Sequence, residues 1–475
     1  MQSFRRLLVL ATFGSSLYQQ AVRGPAAANS TGTVRVTALG ALSDGTNAAA
    51  TTAAFRSAFV AGSSSQIVVP PGTYLINNST GPLIAADFNG ELRFESGAKL
   101  AFTSSEKSGL LFLRGTGARI EGLRADYVRE PSFRHSPQEQ LKFSDTTDTL
   151  LTDTVVKHSP AAGILFFNCM RPKVINAQVI GSLADGLHFA NCQDADVDRL
   201  TTENTGDDGL AFLNYAAYPN KTGGRARNIL IRNSMARGIA VVGQSRVVIS
   251  GFTIENTASS GILCDQDKTF RTRIPADVRF ENGRILGAGT LARSPGSLYG
   301  IEFNSQANCD FLNITVVGSQ GAGVSGTAPA GSATLRNIRV EQPHSGGGFN
   351  FYRTALVDIS SSTASDIPSY GFVFNRCARV IAHDLFAIST SMRDPLRRAI
   401  WFENGQFLKA THLIVSETTQ PEAKRVVGAY QSPEIVQRGS IENIVADPAG
   451  SVVIENNCPG VTIAQPKAIA DSLRN

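Results

Sequence analysis

Residues 186–189 read Gly-Leu-His-Phe, and close copies of this pattern stand one interval earlier and one equal interval later. The earlier copy, at residues 163–166, reads Gly-Ile-Leu-Phe, and the later one, at residues 209–212, reads Gly-Leu-Ala-Phe. A pattern that returns at a fixed spacing is typical of one structural unit that is stacked repeatedly. The sequence therefore indicates a repeat architecture.

The repeat continues toward the C-terminus, where Ala399 extends a series of glycines. Its members are Gly163, Gly186, Gly209, Gly238, Gly261, Gly300, Gly323, Gly348 and Gly371. The shortest interval recurs most often, and the longer ones indicate insertions. Between the glycines runs a second apolar alternation, as at residues 247–254, so each coil holds several short strands. These features predict an all-β fold, a right-handed parallel β-helix solenoid with coils of about 23 residues.

Stacking of such coils places equivalent residues directly above one another, about 4.8 Å apart. The third position after each glycine then forms a column inside the solenoid. Phe166, Phe189 and Phe212 are successive members of this column, so we expect their rings to stack. We assign the column a structural role.

The composition limits the possible functions. The chain has 475 residues, 44 of them Gly, and its formal net charge is only +5. No basic stripe or reader motif for nucleic acid is present, so we expect no nucleic-acid partner. No segment of the sequence has the roughly 20 apolar residues of a membrane span. The sequence does not indicate the oligomeric state.

The N-terminus and the cysteines bear on the cellular location. Residues 1–28 combine a basic start, an apolar stretch and small residues, which predicts a signal peptide and a secreted or periplasmic protein. Residues 29–475 would then form a single β-helix domain. The six cysteines lack metal-type spacing, so no metal is expected. Cys169 and Cys192 fall on neighbouring coils, either as stacked free thiols, which we favour, or as a disulfide.

Three segments near the N-terminus carry a family resemblance. Residues 36–45, the helical-looking residues 51–61 and residues 67–76 resemble the opening of the pectate lyase and polygalacturonase superfamily. In that superfamily this region caps the N-terminal end of a β-helix. The resemblance implies a cap at about residues 34–80.

The middle of the chain resembles polygalacturonases more specifically. Residues 184–189 look like their Asn-Thr-Asp-Gly segment, and residues 206–212 look like their Gly-Asp-Asp segment one coil later. The resemblance implies that Asp185, Asp207 and Asp208 are catalytic. Two motifs differ: Gly-His-Gly is replaced by residues 236–238, Ala-Arg-Gly, and the carboxylate-gripping Arg-Ile-Lys by residues 263–265, Leu-Cys-Asp.

The residues also support a site without the resemblance. The position before each glycine holds Asp185, Asp208 and Arg237 on three consecutive coils, with Asp207 beside them. Stacked like charges raise one another's pKa values and are seldom kept without a use. The alternative is that these are turn aspartates that bind backbone N–H groups.

The outward position two after each glycine would face a groove. It holds His188 and Glu302, and Ala211 and Ala240 between them would leave room for a sugar ring. Insertions at residues 130–140, 215–224 and 265–293 would form walls of this groove, and the last of them is a basic loop. The residues predicted to bind substrate are Arg237, His188, Asp265, Glu302 and Lys268.

The resemblance implies an exported glycoside hydrolase that degrades a polysaccharide or oligosaccharide with inversion. Asp207 would be the acid, Asp185 with Asp208 the base pair, and no cofactor or metal would be required. One alternative is a polysaccharide lyase or uronate C5-epimerase, which Arg237, His188 and the basic loop at residues 265–293 would fit. A second is a noncatalytic carbohydrate-binding fibre or adhesin, because one fold hosts many functions.

Overall fold

The computed structural model describes residues 32–291, 298–391, 393–394, 396–416, 424–432, 435–447 and 451–468. The predicted signal peptide, residues 1–28, lies outside these described residues. Apart from a 3-10 helix at Val36–Leu39 and an α-helix at Ala48–Ala61, the secondary structure is β. In the described part of the chain, no helix has the length and apolar character that crossing a membrane requires.

One face of the solenoid is a sheet of fifteen short strands, one from each coil. We call it the short-strand sheet. Its strands are Leu83–Ala86, Leu110–Leu113, Leu141–Ser144, Ile164–Phe167, Leu187–Ala190, Leu210–Leu213, Ile239–Val242, Ile262–Asp265, Ile301–Asn304, Val324–Thr327, Phe349–Tyr352, Phe372–Asn375, Arg398–Glu403, Arg425–Tyr430 and Val452–Asn457.

The remaining strands form a 21-stranded sheet, the long-strand sheet, that wraps around the rest of each coil. Its strands are Thr33–Arg35, Gln66–Val69, Gly72–Ile76, Glu91–Phe94, Ala98–Phe102, Arg119–Glu121, Arg124–Tyr127, Leu150–Lys157, Lys173–Ile180, Ala195–Glu203, Gly224–Ser234, Val247–Thr257, Val278–Leu286, Asn308–Val317, Ser332–Glu341, Leu356–Ser365, Arg379–Ile388, Phe407–Ser416, Arg438–Asp447, Val461–Ile463 and Lys467–Ala468.

The register between coils follows the repeat. Leu141 pairs with Ile164, Ile164 with Leu187 and Leu187 with Leu210, all in parallel and each one repeat apart. This confirms the predicted parallel solenoid and its common coil length. The mean over about 15 turns is nearer 26 residues, because insertions lengthen several coils.

The phenylalanine column is confirmed. Phe166 and Phe189 stack with ring centroids 5.3 Å apart, and Phe189 and Phe212 with centroids 5.1 Å apart. Phe143 extends the stack on the N-terminal side, 4.4 Å from Phe166. All four rings are buried, so the column forms part of the continuous core.

The repeated glycine has a steric cause. A Cβ atom on Gly186 would lie 2.5 Å from the carbonyl oxygen of Gly209, and a Cβ on Gly209 would lie 2.9 Å from that of Gly238. Real Cβ atoms essentially never approach an oxygen closer than about 3 Å. We call this series the glycine column: most of its members leave space for a carbonyl oxygen of the next coil, which can then approach to hydrogen-bonding distance.

The long strands bend where one residue adopts a positive φ. Asparagine occupies this position in several coils, including Asn282 (φ 57°), Asn313 (φ 52°) and Asn337 (φ 54°). Asparagine tolerates this left-handed conformation better than most residues. The amides also bond across coils, since Asn313 donates to Asn282 and Asn337 donates to Asn313, both at 3.0 Å.

The α-helix covers the N-terminal end of the solenoid. Asn47 caps it by accepting a hydrogen bond from the Ala50 N–H at 3.1 Å. Its buried face packs Phe55 against Tyr74 and Phe59 against Phe88, with ring centroids 5.6 and 5.8 Å apart. The helix therefore forms the cap that the sequence placed within about residues 34–80, although it begins at Ala48, earlier than expected.

All six cysteines are free and buried. Cys169 and Cys192 thus adopt the predicted arrangement of neighbouring thiols, and the disulfide alternative is not formed.

Candidate active site

Asp185, Asp207 and Asp208 converge at one edge of the short-strand sheet. They occupy the turns that precede the strands Leu187–Ala190 and Leu210–Leu213, and the Asp208 N–H donates to Asp185 Oδ1 at 3.1 Å. One carboxylate oxygen from each of the three lies within 4.8 Å of the others. The predicted convergence is therefore present, because register places the two turns on adjacent coils.

Each carboxylate has its own cationic partner. His188 Nδ1 lies 2.7 Å from Asp185 Oδ2, and Arg237 Nη2 lies 3.0 Å from Asp208 Oδ2. The Arg237 backbone N–H also donates to Asp208, at 3.0 Å. Asp207 Oδ2 accepts a hydrogen bond from Arg134 Nη1 at 2.6 Å.

The carboxylates differ in exposure. The side chain of Asp208 is 4% exposed and that of Asp185 is 11% exposed, whereas that of Asp207 is 28% exposed. Asp207 is therefore the carboxylate of the three that a substrate would reach most directly.

The environment separates the three titrations. Burial and the charges of Asp207 and Asp185 raise the pKa of Asp208 to about 7, against the opposing effect of Arg237. Burial and the charge of Asp185 also raise the pKa of Asp207, although Arg134 opposes the shift. Burial acts to raise the pKa of Asp185 as well, but His188 and Arg134 outweigh it and hold that pKa below its ordinary value.

His188 carries the complementary charge. Burial acts to lower its pKa, but the neighbouring Asp185 carboxylate raises it above the ordinary value overall. An imidazolium therefore faces an ionised Asp185, next to two carboxyl groups that hold protons to higher pH. Such a division between neighbouring carboxyls is the usual basis for separate acid and base roles.

The three aspartates also present an oxygen set of the kind that binds a metal ion. Arg134, Arg237 and protonated His188 surround this oxygen set with positive charge, and the raised pKa values of Asp207 and Asp208 keep protons on it to higher pH. Both effects oppose a bound cation, so the site favours acid–base chemistry over metal binding.

The spacing bears on the stereochemical expectation. Inverting glycosidases usually hold their two carboxyl groups about 6.5–9.5 Å apart, and retaining ones about 5–5.5 Å apart. The 4.8 Å limit joins one selected oxygen from each of the three aspartates and is shorter than the separation of their carboxyl groups as wholes. Inversion therefore stays a prediction.

The other predicted residues line the groove beyond Arg237. Asp265 and Lys268 border the same cleft as Arg237. Burial, together with the charge of Glu302, raises the pKa of Asp265 to about 7. Glu302 is buried and accepts hydrogen bonds from Ser260 Oγ at 2.5 Å and Asn304 Nδ2 at 2.9 Å.

One expectation about the groove is wrong. Ala211 and Ala240 follow His188 on the outer face of the short-strand sheet, but both are fully buried. Neighbouring side chains cover them, so they do not form an open floor for a sugar ring. The accessible surface belongs to Asp207 and Arg237 instead, whose side chains are 28% and 30% exposed.

Two residues of the site were missed from sequence. Arg134 reaches Asp207 from the insertion at residues 130–140, and Tyr215 opens the insertion at residues 215–224. Burial and the charge of Asp185 raise the pKa of Tyr215, so its phenol stays neutral. The only available signal was that both insertions were expected to form walls, which does not identify the side chains that turn inward.

Comparison with known proteins addresses the architecture. A family profile described as "Right handed beta helix region" matches residues 162–324. The fold is a right-handed parallel β-helix. This confirms the handedness and the fold that the resemblance implied. No curated protein sequence matches the chain with statistical significance.

Solved structures with a similar right-handed β-helix include three carbohydrate-active proteins. The catalytic unit of a GH87 α-1,3-glucanase from Streptomyces thermodiastaticus has a TM-score of 0.52 at 16% identity, covering 94% of this chain and 70% of that chain. A family 28 exopolygalacturonase from Yersinia enterocolitica has a TM-score of 0.46 at 14% identity, covering 75% and 76%. The A-module of a mannuronan C-5 epimerase from Azotobacter vinelandii has a TM-score of 0.43 at 13% identity, covering 67% and 97%. At these identities the likeness concerns the fold alone.

Proposed function

We propose that this protein is a glycoside hydrolase that cleaves a polysaccharide at the Asp185, Asp207 and Asp208 cluster. The observation that carries the proposal is the convergence of three carboxylates with three separate cationic partners and divergent pKa shifts. The GH87 protein built on the same fold is an α-1,3-glucanase, which agrees with a polysaccharide as the substrate class.

Asp207 is the proposed general acid. It is the most exposed of the three carboxyl groups, and its raised pKa keeps it protonated to higher pH than a free aspartate. The proton would pass to the glycosidic oxygen as the bond to the anomeric carbon breaks. Asp208 lies between Asp207 and Arg237, and its pKa is raised to about 7. While it is protonated, it would add no negative charge beside Asp207.

Asp185 is the proposed carboxylate for the opposite role. Its pKa is held low, so it remains ionised and can either activate water or attack the anomeric carbon. Inversion, the course implied by the resemblance, requires the first of these. The anomer released first, read by proton NMR immediately after cleavage, distinguishes the two courses.

The ion pairs of Arg237 and His188 favour a hydrolase over the lyase or epimerase alternative. A lyase needs a base that removes a proton next to a substrate carboxylate. Both candidate residues are held in short ion pairs, Arg237 with Asp208 and His188 with Asp185. Arg237 is therefore not an available base, and His188 is a poor one because its raised pKa keeps the imidazole protonated to higher pH.

The proposal is tested by assaying the protein against a panel of neutral and acidic polysaccharides. Hydrolysis yields new reducing ends without an unsaturated, ultraviolet-absorbing product, and a lyase yields both. The variant Asp207→Asn should lower turnover by about 10² or more while folding is retained, because it cannot supply the proton.

The matched control is Asp148→Asn, which removes a carboxylate that pairs with Arg171 outside the site. Its activity should equal that of the original protein. Normal turnover by Asp207→Asn would instead mean that Asp207 is a turn residue. We further propose that the protein is exported, which N-terminal sequencing of the protein recovered from culture medium or periplasm would test.

A further inference from the structure

Arg134 lies far from the aspartates in sequence but holds one of them directly. Its Nη1 donates to Asp207 Oδ2 at 2.6 Å across a separation of 73 residues. The segment that carries it is anchored at the arginine and directly after it. Arg134 Nε donates to Ser136 Oγ at 3.0 Å, and the His135 N–H donates to the Pro160 carbonyl at 2.7 Å.

The three carboxylates are held to different degrees. Asp185 receives contacts from His188 and from the Asp208 N–H, and Asp208 receives two hydrogen bonds from Arg237. Among the described residues, the Asp207 carboxylate accepts a hydrogen bond only from Arg134. That bond engages Oδ2, and no residue in the described part of the chain donates to Oδ1.

We propose that Arg134 is a positioning residue for Asp207: by holding Oδ2 it fixes the carboxyl group and reserves Oδ1 as the oxygen that carries the transferred proton. The inference rests on the proposed function, in which Asp207 is the general acid. It assigns a role to the insertion at residues 130–140, which the repeat itself does not require.

The proton transfer balances as follows. The O–H bond at Asp207 Oδ1 breaks, its proton joins the glycosidic oxygen, and the electron pair of the broken anomeric bond goes to that oxygen. Asp207 is left as a carboxylate whose charge Arg134 balances. Water supplies the hydroxyl group for the anomeric carbon and the proton that restores Asp207.

The charge of Arg134 gives a directional test. A general acid works only while protonated, so activity falls as the pH rises through its pKa. Arg134 opposes the rise in the pKa of Asp207. Removing the guanidinium should therefore raise that pKa and move the alkaline limb of the pH profile to higher pH.

The experiment compares Arg134→Met, which removes both charge and hydrogen bond, with Arg134→Lys, which keeps the charge. We expect Arg134→Met to lower kcat by about 10- to 100-fold with little change in KM, since a misplaced catalytic group costs about that much. Its alkaline limb should shift upward, and Arg134→Lys should recover part of both effects. The matched control Arg171→Met breaks a similar ion pair, with Asp148, and should change neither.

A second measurement does not depend on activity. Carbodiimide-activated amine labelling modifies protonated carboxyls, and peptide mass spectrometry reports the pH at which Asp207 ceases to react. Arg134→Met should move that pH upward, and Arg134→Lys should move it back toward the original value.

The two proposals fail separately. If the labelling shift occurs but the original protein cleaves no polysaccharide, the proposed function fails, and the contact by which Arg134 lowers the pKa of Asp207 is retained without a catalytic role. If cleavage occurs but Arg134→Met leaves both the pH profile and the labelling unchanged, or raises KM alone, the positioning role is overturned.

Discussion

At the scale of single residues, Asp207 and Asp208 show how strongly local environment separates identical side chains. They are adjacent in the chain, yet one is 28% exposed and the other 4% exposed. The sequence located both, together with Asp185, His188 and Arg237, because these residues occupy columns whose register follows from the repeat. Arg134 lies in an insertion that has no register with the coils, and so no count of spacing could place it.

Asp208 should make stability depend on pH. Its folded-state pKa of about 7 exceeds the value near 3.9 expected for an unfolded aspartate. Between these values the folded state binds more protons, so stability should fall as the pH rises from about 4 to about 7. Asp208→Asn should flatten this fall in the melting temperature. It should not abolish it, because Asp265 shifts in the same direction.

The control for this prediction is Asp148→Asn, since Arg171 lowers the pKa of Asp148 and its titration is complete at lower pH. A plot of its melting temperature against pH should run parallel to that of the original protein across about pH 5 to 7. If the melting temperature of Asp208→Asn also changes with pH in parallel with that of the original protein, Asp208 does not retain its proton near neutrality.

Asn313 tests the cause of the bends in the long strands. Ala at this position should destabilise the fold by about 1–2 kcal/mol through the left-handed backbone, with a further loss from two amide hydrogen bonds. Gly accepts the backbone conformation and loses only the hydrogen bonds. The midpoint of denaturant unfolding should therefore rank Asn313 above Asn313→Gly, and Asn313→Gly above Asn313→Ala. Equal values for the two variants would remove the conformational explanation.

At the scale of elements, the short strands are simple to predict and the bends are not. Alternating apolar residues and a recurrent glycine identify strands such as Leu187–Ala190 and Leu210–Leu213 directly. The long strands, such as Lys173–Ile180, continue through a bend that one residue of positive φ provides. Because Asn, Asp, Arg, Ser and His all occupy that position in different coils, composition alone does not mark it.

The stacked phenylalanines predict a large local cost of truncation. Phe189 is 1% exposed and stacks on Phe166 and Phe212, so Phe189→Ala should destabilise the protein by about 3–5 kcal/mol. Phe270, which is 50% exposed, provides the control, and Phe270→Ala should change the free energy of unfolding by no more than about 0.5 kcal/mol. Comparable losses for both variants, measured by denaturant unfolding, would contradict the column as a main source of core stability.

At the scale of the whole molecule, the sequence predicted the parallel solenoid because each coil repeats the same burial pattern, and the family resemblance implied its handedness and its cap. The mean coil length of about 26 residues lies near the predicted 23, and the difference comes from insertions, which vary from coil to coil and follow no shared pattern. The same distinction explains the site: its aspartates follow the repeat, and its walls do not.

The cap should keep the solenoid monomeric at its N-terminal end. The helix Ala48–Ala61 contacts the strands Gly72–Ile76 and Leu83–Ala86, and the latter is the terminal strand of its sheet. An uncovered terminal strand offers unpaired backbone groups to another chain. The double variant Phe55→Asp, Phe59→Asp should detach the helix and produce oligomers that grow with concentration, measured by light scattering.

Val60 lies on the outer side of the same helix and is 69% exposed. Val60→Asp should therefore leave the scattering mass unchanged. If the double variant keeps that mass as well, the helix does not protect the sheet edge.

The glycine column also bears on how such a protein could lengthen during evolution. Each glycine leaves space for a carbonyl oxygen of the next coil, as between Gly186 and Gly209. Duplication of one complete coil in the coding sequence would place another glycine beneath another carbonyl, so the new turn would fit at once. Extra residues in a loop of the duplicate would be tolerated, as they are in the longer coils, whereas loss of the glycine would place a Cβ atom against that carbonyl. This chain could therefore lengthen during evolution by the addition of whole coils. The aspartate cluster could remain unchanged while coils are added on either side.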